Sequence, residues 1–291
     1  MTESFKLTQR TGLVLEGGGF RAIFTAAVLE LFHQNNIFFP YVVGVSAGGA
    51  YGVSYVTRQQ GRNLATSCYV SDKRYCGVKH LIRSGNYFNW DFVYQQIPME
   101  LLPLDYDALR NSATHFQVAV TNCQTACAEY FDVTGPLASP ERLCKLLTAT
   151  SSLPFISKMK VIDNSKYLDG GLVDAIPFDH ALRMNNSRAV VVLTRPKGYV
   201  KEQSKSDSLF GAVYRKYPTL VKVMNERADS YNKKLKQIEQ LEAQGQLFVI
   251  RPREAIPVGR MQNNPQLLAN VYFEVMNEIA EDVDKLKRWL T

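Results

Sequence analysis

The sequences GLVLEGGGFRA, which begins at Gly12, and YVVGVSAG, which begins at Tyr41, share one plan. Each opens with a short, apolar, β-prone run, residues 12–15 in the first and 41–45 in the second. A segment that is apolar at helical spacing, residues 21–34, follows the first run, and a segment of small residues, 47–55, follows the second. Two successive strand-to-helix turns predict a parallel sheet covered by helices on both faces.

The rest of the chain continues this alternation of strands and helices. Further strands are predicted at residues 115–121, 128–133, 189–194 and 247–250. A helix starts at Ser139-Pro140-Glu141, where a cap, a proline and an acid stand in favoured positions. Two more helices are expected at about residues 220–241 and 264–290. No internal repeat or low-complexity segment interrupts the pattern.

Length and composition favour one soluble domain. The 291 residues are 46% hydrophobic, enough for a single substantial core. No run of about eighteen apolar residues is present, and the start MTESFKLTQR has no signal-peptide pattern, so a cytoplasmic protein is expected. Five cysteines without regular spacing favour reduced thiols. The net charge of +7 suggests an anionic partner surface but does not by itself choose between nucleic acid and phospholipid.

The sequence GVSAG, from Gly44 to Gly48, matches a nucleophile elbow. Small residues around the serine permit a tight turn, and the following helix directs backbone N–H groups to a site of developing negative charge. Ser46 is therefore the candidate nucleophile. A glycine-rich turn with an ordinary serine is the alternative interpretation.

The glycine loop EGGGFRA, residues 16–22, lies between the first strand and the first helix. Consecutive glycines expose backbone N–H groups, which suits an oxyanion hole or an anion-binding nest. No Gly-Lys-Ser/Thr follows, and Ala22 replaces the third glycine of a dinucleotide fingerprint, so a nucleotide site is weakly supported. A tight turn for close packing is the other possibility.

Asp169-Gly170-Gly171 follows an apparent short strand around Tyr167. An aspartate before two glycines can stand in a loop with its carboxylate free to approach another side chain. Taken alone, the motif is more typical of a turn.

Together the three motifs resemble those of the patatin-like phospholipase family over residues 12–194. The resemblance implies a three-layer α/β/α sandwich around a mainly parallel sheet. It also implies a lipid ester hydrolase whose nucleophile is Ser46, whose base is Asp169, and whose oxyanion hole is the backbone of Gly17, Gly18 and Gly19. Arg21 matches the family's basic position, whereas Ala22 stands where the family often has glycine. No cofactor is implied.

We expect one domain over residues 1–291, with a cap region around 70–112 and a helical C-terminal part over 205–291. The segment 87–104, YFNWDFVYQQIPMELLPL, is crowded with large apolar side chains. It fits either a cap over an acyl pocket or core packing beneath the sheet. Leu153 and Phe155, in a loop that resembles one near the family's active site, are candidate acyl contacts.

A histidine triad and a metal site are less well supported by the sequence. Ser46, Asp169 and His180 fall in the chain order of a conventional triad, but His180 is predicted on a helix that starts near Pro177. Cys123 and Cys127 lack histidine partners at metal-binding spacing, so hairpin packing is favoured and no metal is expected. A catalytically silent lipid-binding module and a phosphate- or nucleotide-binding α/β protein remain alternatives to the hydrolase.

A basic segment spans residues 215–236, with seven basic and two acidic side chains. Apolar residues recur at helical spacing, which predicts that one stripe packs on the body while the bases face outward. The bases are Arg215, Lys216, Lys222, Arg227, Lys233, Lys234 and Lys236. A solvated helix face is the simpler interpretation, and peripheral association with an anionic membrane is the functional one. Nucleic acid is not expected as a partner.

Overall fold

The computed structural model describes residues 10–203, 209–259 and 261–291. Within them the chain forms one eight-stranded sheet with helices on both faces. The strands are β1 (Thr11–Leu15), β2 (Tyr41–Val45), β3 (His115–Asn122), β4 (Ala128–Asp132), β5 (Lys160–Ile162), β6 (Ser165–Asp169), β7 (Arg188–Val192) and β8 (Leu247–Ile250). The expected α/β fold is confirmed.

The sheet is parallel at its centre and antiparallel at one side. Paired strands follow the order β5-β6-β3-β2-β1-β7-β8, and β4 also pairs with β3. The pairs β1/β2, β1/β7, β2/β3 and β7/β8 are parallel, whereas β4, β5 and β6 join in antiparallel fashion. Because β1 lies inside the sheet, between β2 and β7, the loop that follows it opens away from both edges of the sheet.

Eleven α-helices connect and cover the strands of the described residues. They are α1 (Ile23–Gln34), α2 (Ala47–Val56), α3 (Arg62–Ser67), α4 (Val78–Ser84), α5 (Tyr106–Arg110), α6 (Pro140–Ser151), α7 (Phe178–Arg183), α8 (Phe210–Val213), α9 (Pro218–Ala243), α10 (Pro265–Glu278) and α11 (Ala280–Leu290). A 3-10 turn, Gly19–Ala22, precedes α1, and a π-helix covers Phe92–Leu101.

Successive residues of β1 enter different cores, as the two-residue period of a strand requires. Leu13 and Leu15 belong to the cluster packed under α1 and α10, whereas Val14 packs with Tyr231 and Ile238 of α9 on the opposite face. All of these side chains are buried. The sheet is therefore covered on both faces, which is the three-layer arrangement.

The segment 70–112, for which a cap was expected, contacts α6. Tyr94, within the π-helix, makes a 2.9 Å hydrogen bond with the hydroxyl of Ser151 at the end of α6. The amide of Leu102 donates to the carbonyl of Ile97 at 2.7 Å, the five-residue step of a π-helix. Pro98 has no N–H to donate within this helix.

Several boundaries differ from those expected. The segment 264–290 is not one helix, because Ile279 leaves the helical conformation and divides it into α10 and α11. Ile279 is completely buried, and no glycine or proline marks the break in the sequence. Helix α1 begins at Ile23 rather than at residue 21 because a 3-10 turn intervenes.

The basic segment is only partly as expected. Its apolar stripe is buried along α9, with Leu220, Met224, Tyr231 and Ile238 inside. The prediction that all seven bases face outward is wrong. Lys234 forms ion pairs with Asp174 and Asp179, and Arg227 lines a cavity. Arg215, Lys216, Lys222, Lys233 and Lys236 are exposed.

Candidate active site

Ser46 lies on a sharp turn between β2 and α2. Its backbone has φ 53° and ψ −125°, a conformation that a residue with a side chain seldom adopts. The amide of Ser46 donates to the hydroxyl of Thr150 at 2.8 Å, and that hydroxyl donates to the carbonyl of Ala119 at 2.6 Å. Helix α6 and strand β3 thereby stabilise the strained turn.

The glycines on either side of Ser46 are required by close packing. A methyl group on Gly44 would lie 2.6 Å from the Cα of Gly49, and one on Gly48 would lie 2.5 Å from the carbonyl oxygen of Leu15. Both distances are too short for carbon. The start of α2 can therefore lie directly against the ends of β1 and β2 only without side chains at these positions.

The glycine loop lies beside the serine. A Cβ built on Gly17 would be 3.0 Å from the Cβ of Ser46, and a Cβ on Gly18 would be 2.9 Å from the hydroxyl oxygen of Thr194. Gly19 has φ 58°, which favours glycine. Ala22 has an ordinary φ of −68°, so its methyl group imposes no strain on the loop.

Glu16, the residue before the first glycine, holds the start of this loop in place through its side chain. Its buried carboxylate accepts hydrogen bonds from the amide and the hydroxyl of Thr194, at 2.5 and 3.0 Å, and from the hydroxyl of Tyr231 at 2.6 Å. Burial, together with the negative charge of Glu16, raises the pKa of Tyr231 well above its usual value, so the phenol stays a donor. Helix α9 is thus tied to the loop.

Asp169 ends β6 and is buried. Its Oδ1 accepts a hydrogen bond from the amide of Gly171 at 2.8 Å. Two further hydrogen bonds hold the backbone of Asp169. Its amide donates to the carbonyl of Ser152, and its carbonyl accepts from the hydroxyl of Thr121, each at 2.8 Å. Gly170 passes so close to β3 that an added Cβ would be 2.3 Å from the Ala119 carbonyl oxygen.

The register of β3 brings the serine and the aspartate to one place. Ala119 pairs with Val45 of β2 and also with β4, so β2 and β4 lie on opposite edges of β3. Val120 pairs with Asp169 of β6 and also with β4. Strands β2 and β6 therefore meet end to end along the same edge of β3, and the chain leaves the sheet at neighbouring places, after Val45 in β2 and at Asp169 in β6.

An apolar cavity of about 130 Å³ opens at Ser46. The segment 70–112 lines much of it with aromatic and aliphatic side chains, and α6 supplies Leu143 and Leu147. The cap residues include Tyr75, Phe88, Trp90, Val93, Tyr94 and Ile97. Phe92 and Ile97 of the same segment are buried in the main core, so the segment both packs in the core and walls the cavity.

A second, polar cavity meets the first at Ser46. It contains the glycine loop, Asp169 and Gly171, together with Glu16 and four basic side chains. The bases are Arg21, Arg195, Lys201 and Arg227. The nucleophile candidate thus lies at the junction of an apolar space and a cationic one.

The two candidate acyl contacts lie in different places. Leu153 lines both cavities. Phe155 is 37% exposed and lines neither of them. Its ring stacks on Phe210 of α8 with centroids 5.1 Å apart. Leu153 therefore lies at the cavities that meet at Ser46, whereas Phe155 packs against α8.

His180 is engaged away from the candidate dyad. Its Nε2 is 2.9 Å from the side-chain oxygen of Gln117, and its ring stacks on Tyr130 with centroids 3.5 Å apart. Burial and the nearby Arg183 lower the pKa of His180. Within the described residues, no cluster of three or more His, Cys, Asp or Glu side chains is placed to hold a metal ion.

The fold and the site define an α/β protein with a serine on a strand-to-helix elbow beside a glycine-rich loop. Residues 13–182 match the patatin-like phospholipase family, and the chain belongs to that family of lipid-hydrolase-like proteins. Residues 217–291, which include α9, match a separate family described as a domain of unknown function, DUF6363.

Two individual proteins are similar to this chain. The uncharacterized protein YjjU of Escherichia coli strain K12 is 30% identical over 194 residues, which are 64% of this chain and 52% of YjjU. The chain therefore spans about half of that relative. The crystal structure of VipD from Legionella pneumophila aligns with a TM-score of 0.43 and 13% identity, over 93% of this chain and 67% of VipD.

None of the helices in the described residues is both long enough and apolar enough to span a bilayer.

Sequence reasoning missed three residues that shape the site. Glu16 opens the quoted glycine loop, yet its role depends on Tyr231, which is 215 positions away. Thr150 supports Ser46 from 104 positions away. The one local signal in the sequence was an acidic residue between an apolar strand and a glycine loop. An acid in such a place is close to the core and needs hydrogen-bond donors.

Proposed function

We propose that this protein hydrolyses carboxylic esters of lipids, with Ser46 as nucleophile and Asp169 as base. The observation that carries the proposal is the position of Ser46, which lies where the apolar cavity and the polar cavity meet, with the glycine loop and Asp169 in the polar half. An ester bound there has its acyl chain in the apolar space and its alcohol in the polar space.

The reaction begins when the Asp169 carboxylate accepts the hydroxyl proton of Ser46 and the oxygen attacks the ester carbonyl. Negative charge then develops on the carbonyl oxygen beside Gly17, Gly18 and Gly19, whose backbone N–H groups stabilise it. Losing one such donor typically raises the barrier by about 3 to 4 kcal/mol. Asp169 returns the proton to the leaving alcohol, and an acyl group remains on Ser46.

Water completes the cycle. Asp169 accepts a proton from water, the hydroxide attacks the acyl carbonyl, and the carboxylic acid leaves as Ser46 regains its proton. The burial of Asp169 and the bond to its Oδ1 from Gly171 keep the carboxylate in one orientation for both halves. No histidine and no cofactor enter these steps.

The apolar cavity supports a fatty acyl substrate. Its walls are mainly aromatic and aliphatic and come from the cap region and α6, and removal of a chain's methylenes from water contributes about 0.8 kcal/mol for each one buried. The hydroxyls of Tyr94 and Ser151 already bond to each other there. We propose that residues 70–112 act as the cap of this acyl pocket.

Peripheral membrane binding is a second, separate part of the proposal. Five bases of the segment 215–236 are exposed, and each basic residue near an anionic bilayer contributes about 1 kcal/mol. Lys234 is excluded from this role because Asp174 and Asp179 pair with it.

A lipid panel and a covalent probe test the proposal together. Wild-type protein and Ser46→Ala are incubated with phospholipids, lysophospholipids and neutral acyl esters, and released fatty acid is measured by mass spectrometry. We expect release by the wild type alone and labelling of wild-type Ser46 by a fluorophosphonate. A silent lipid-binding module would bind lipid but show neither result, and a nucleotide-binding protein would instead be stabilised thermally by a nucleotide.

A further inference from the structure

We infer that the apolar cavity binds an acyl chain that ends in a carboxylate, and that Arg62 of α3 pairs with this carboxylate. The inference rests on the proposed function, which places the acyl chain of the ester in this cavity. It narrows the substrates to lipids that carry a dicarboxylic acid as a half ester. Arg62 thereby determines which acyl chains the site prefers.

Arg62 differs from the rest of the wall of this cavity. Among the described residues of the lining it has the only side chain with a full charge, and no aspartate or glutamate lines the cavity. A guanidinium stays protonated, so its charge is held beside aromatic and aliphatic groups, which is costly unless an anion accompanies it. The wall therefore has one position that suits a negatively charged group.

The side chain of Arg62 forms hydrogen bonds with neutral oxygen atoms. Nη1 donates to the hydroxyl of Ser54 at 3.2 Å, and Nη2 donates to the carbonyl of Leu102 at 2.9 Å. Nε is buried and has no acceptor within the described residues. Burial lowers the pKa of Arg62, as expected for a cation that is removed from water and that no carboxylate in the described part of the chain pairs with. The two bonds thus hold the guanidinium in place and leave its charge uncompensated.

Helix α3 holds Arg62 at the cavity and favours a carboxylate as its partner. The side-chain amide of Asn63 donates to the carbonyl of Tyr51 in α2 at 3.2 Å, and the hydroxyl of Thr66 donates to the carbonyl of Arg62 at 2.9 Å. Asn63 and Thr66 also line the cavity, but these bonds already engage them with the backbone. The planar fork of a guanidinium matches the two oxygens of a carboxylate. A carboxylate at the end of an acyl chain is therefore the anion that this position fits.

Helix α2 sets the length of the chain that reaches Arg62. The helix starts directly after Ser46, and its residues Ala47 and Ala50 line the cavity. Ser54, which is bonded to Arg62, comes eight positions after Ser46, or about 12 Å along a helix that rises about 1.5 Å per residue. A saturated chain advances about 1.3 Å per carbon–carbon bond, so an acyl chain of about nine carbons brings its terminal carboxylate to the guanidinium.

Binding to the Ser46→Ala protein, which cannot form an acyl-enzyme, tests the inference without turnover. Titration calorimetry compares azelaoyl glycerol, whose acyl chain ends in a carboxylate, with decanoyl glycerol, which has a neutral chain of similar length. We expect azelaoyl glycerol to bind about tenfold tighter, since hydrogen bonds to charged groups are the strong ones. Equal or weaker binding of azelaoyl glycerol would overturn the inference.

Two further glycerol esters separate the charge of the acyl chain from its length. Succinyl glycerol has the same charge on a chain too short to reach Arg62, and ω-hydroxynonanoyl glycerol has a neutral hydroxyl in place of the terminal carboxylate. Both should bind at least about tenfold more weakly than azelaoyl glycerol. Equal affinity of the hydroxyl ester would show that charge is not recognised, and equal affinity of the succinyl ester would place the anion elsewhere. Either result would overturn the inference.

Variants assign the preference to Arg62. In the Ser46→Ala background, Arg62→Gln should lower the ratio of the affinities for azelaoyl and decanoyl glycerol about tenfold. Arg62→Lys keeps the charge and should retain part of the preference. Lys79→Gln removes an exposed base of the segment 70–112 that does not line the cavity, and it should leave the ratio unchanged. An unchanged ratio in a folded Arg62→Gln protein would contradict the assignment. The ester series needs no change at Arg62, so it decides the matter even if this variant does not fold.

The two proposals fail in different ways. Preferential binding of azelaoyl glycerol without any hydrolysis by the wild type would overturn the hydrolase proposal and leave the carboxylate site standing. Hydrolysis with equal kcat/KM for azelaoyl and decanoyl glycerol would overturn the carboxylate site and leave the hydrolase standing.

Discussion

Tyr231 of helix α9 donates a 2.6 Å hydrogen bond to the buried carboxylate of Glu16, 215 positions earlier in the chain. Glu16 immediately precedes the glycine loop, so the C-terminal helix and the loop share one buried polar contact. The stability of the site therefore depends on a part of the chain outside the patatin-like match.

The first prediction follows from this contact. Tyr231→Phe removes only the hydroxyl and leaves the buried Glu16 carboxylate with Thr194 as its one partner, so the free energy of unfolding should fall by about 1.5 to 3 kcal/mol. Denaturant unfolding monitored by circular dichroism measures it. Tyr217→Phe, which loses only an exposed bond to Lys166, is the matched control and should change stability by less than about 0.5 kcal/mol. Equal losses in the two variants would contradict the role given to Tyr231.

The second prediction concerns the elbow. Gly48→Ala places a methyl group 2.5 Å from the Leu15 carbonyl oxygen, so α2 must move away from β1. We expect a loss of about 1 to 3 kcal/mol in unfolding free energy and reduced esterase activity. Gly211→Ala, where no heavy atom lies within 4 Å of an added Cβ, should be tolerated. A fully stable and fully active Gly48→Ala protein would show that the close approach is unimportant.

The third prediction is that His180→Ala keeps most of the esterase activity. The imidazole bonds to Gln117 and stacks on Tyr130, so its loss should lower stability modestly without removing a catalytic group. Steady-state kinetics on a soluble ester, beside a thermal melt, measures both effects. A loss of several hundredfold or more in a folded variant would restore the conventional triad.

The fourth prediction separates membrane docking from chemistry. Lys233→Gln combined with Lys236→Gln removes two exposed bases of α9, and at about 1 kcal/mol each the affinity for anionic vesicles should fall about thirtyfold at low salt. Vesicle sedimentation measures it, and hydrolysis of a small soluble ester should continue. The control variant carries Lys145→Gln and Lys285→Gln, which remove two exposed bases outside α9. It should bind anionic vesicles as tightly as the wild type. Equal binding of wild type to neutral and anionic vesicles would remove α9 from this role.

Much of the fold was predictable because its signals are local. The strand, glycine turn and helix at residues 12–34 follow from composition over a few positions, and the elbow at Ser46 repeats that pattern. The break at Ile279 was not predictable, since the amphipathic pattern continues through it and no glycine or proline marks it.

The motifs of the candidate site were predictable from the sequence, whereas the residues that line its two cavities were not. The three motifs lie at strand ends, where the order of the strands brings them together. The segment 70–112 supplies part of the wall of the apolar cavity, and Arg227 and Tyr231 of α9 supply part of the wall of the polar one. Contacts between segments so far apart in sequence leave no periodic signal, which is why Arg227 and Lys234 were expected to face solvent.

The most direct test of the central claim is the turnover of a lipid ester by Asp169→Asn, measured beside Ser46→Ala and wild type under the same conditions. Asparagine keeps the size of the side chain but cannot accept the serine proton, so kcat should fall at least about a thousandfold in both variants while their melting temperatures stay close to that of the wild type. Wild-type turnover by a folded Asp169→Asn protein would contradict the dyad.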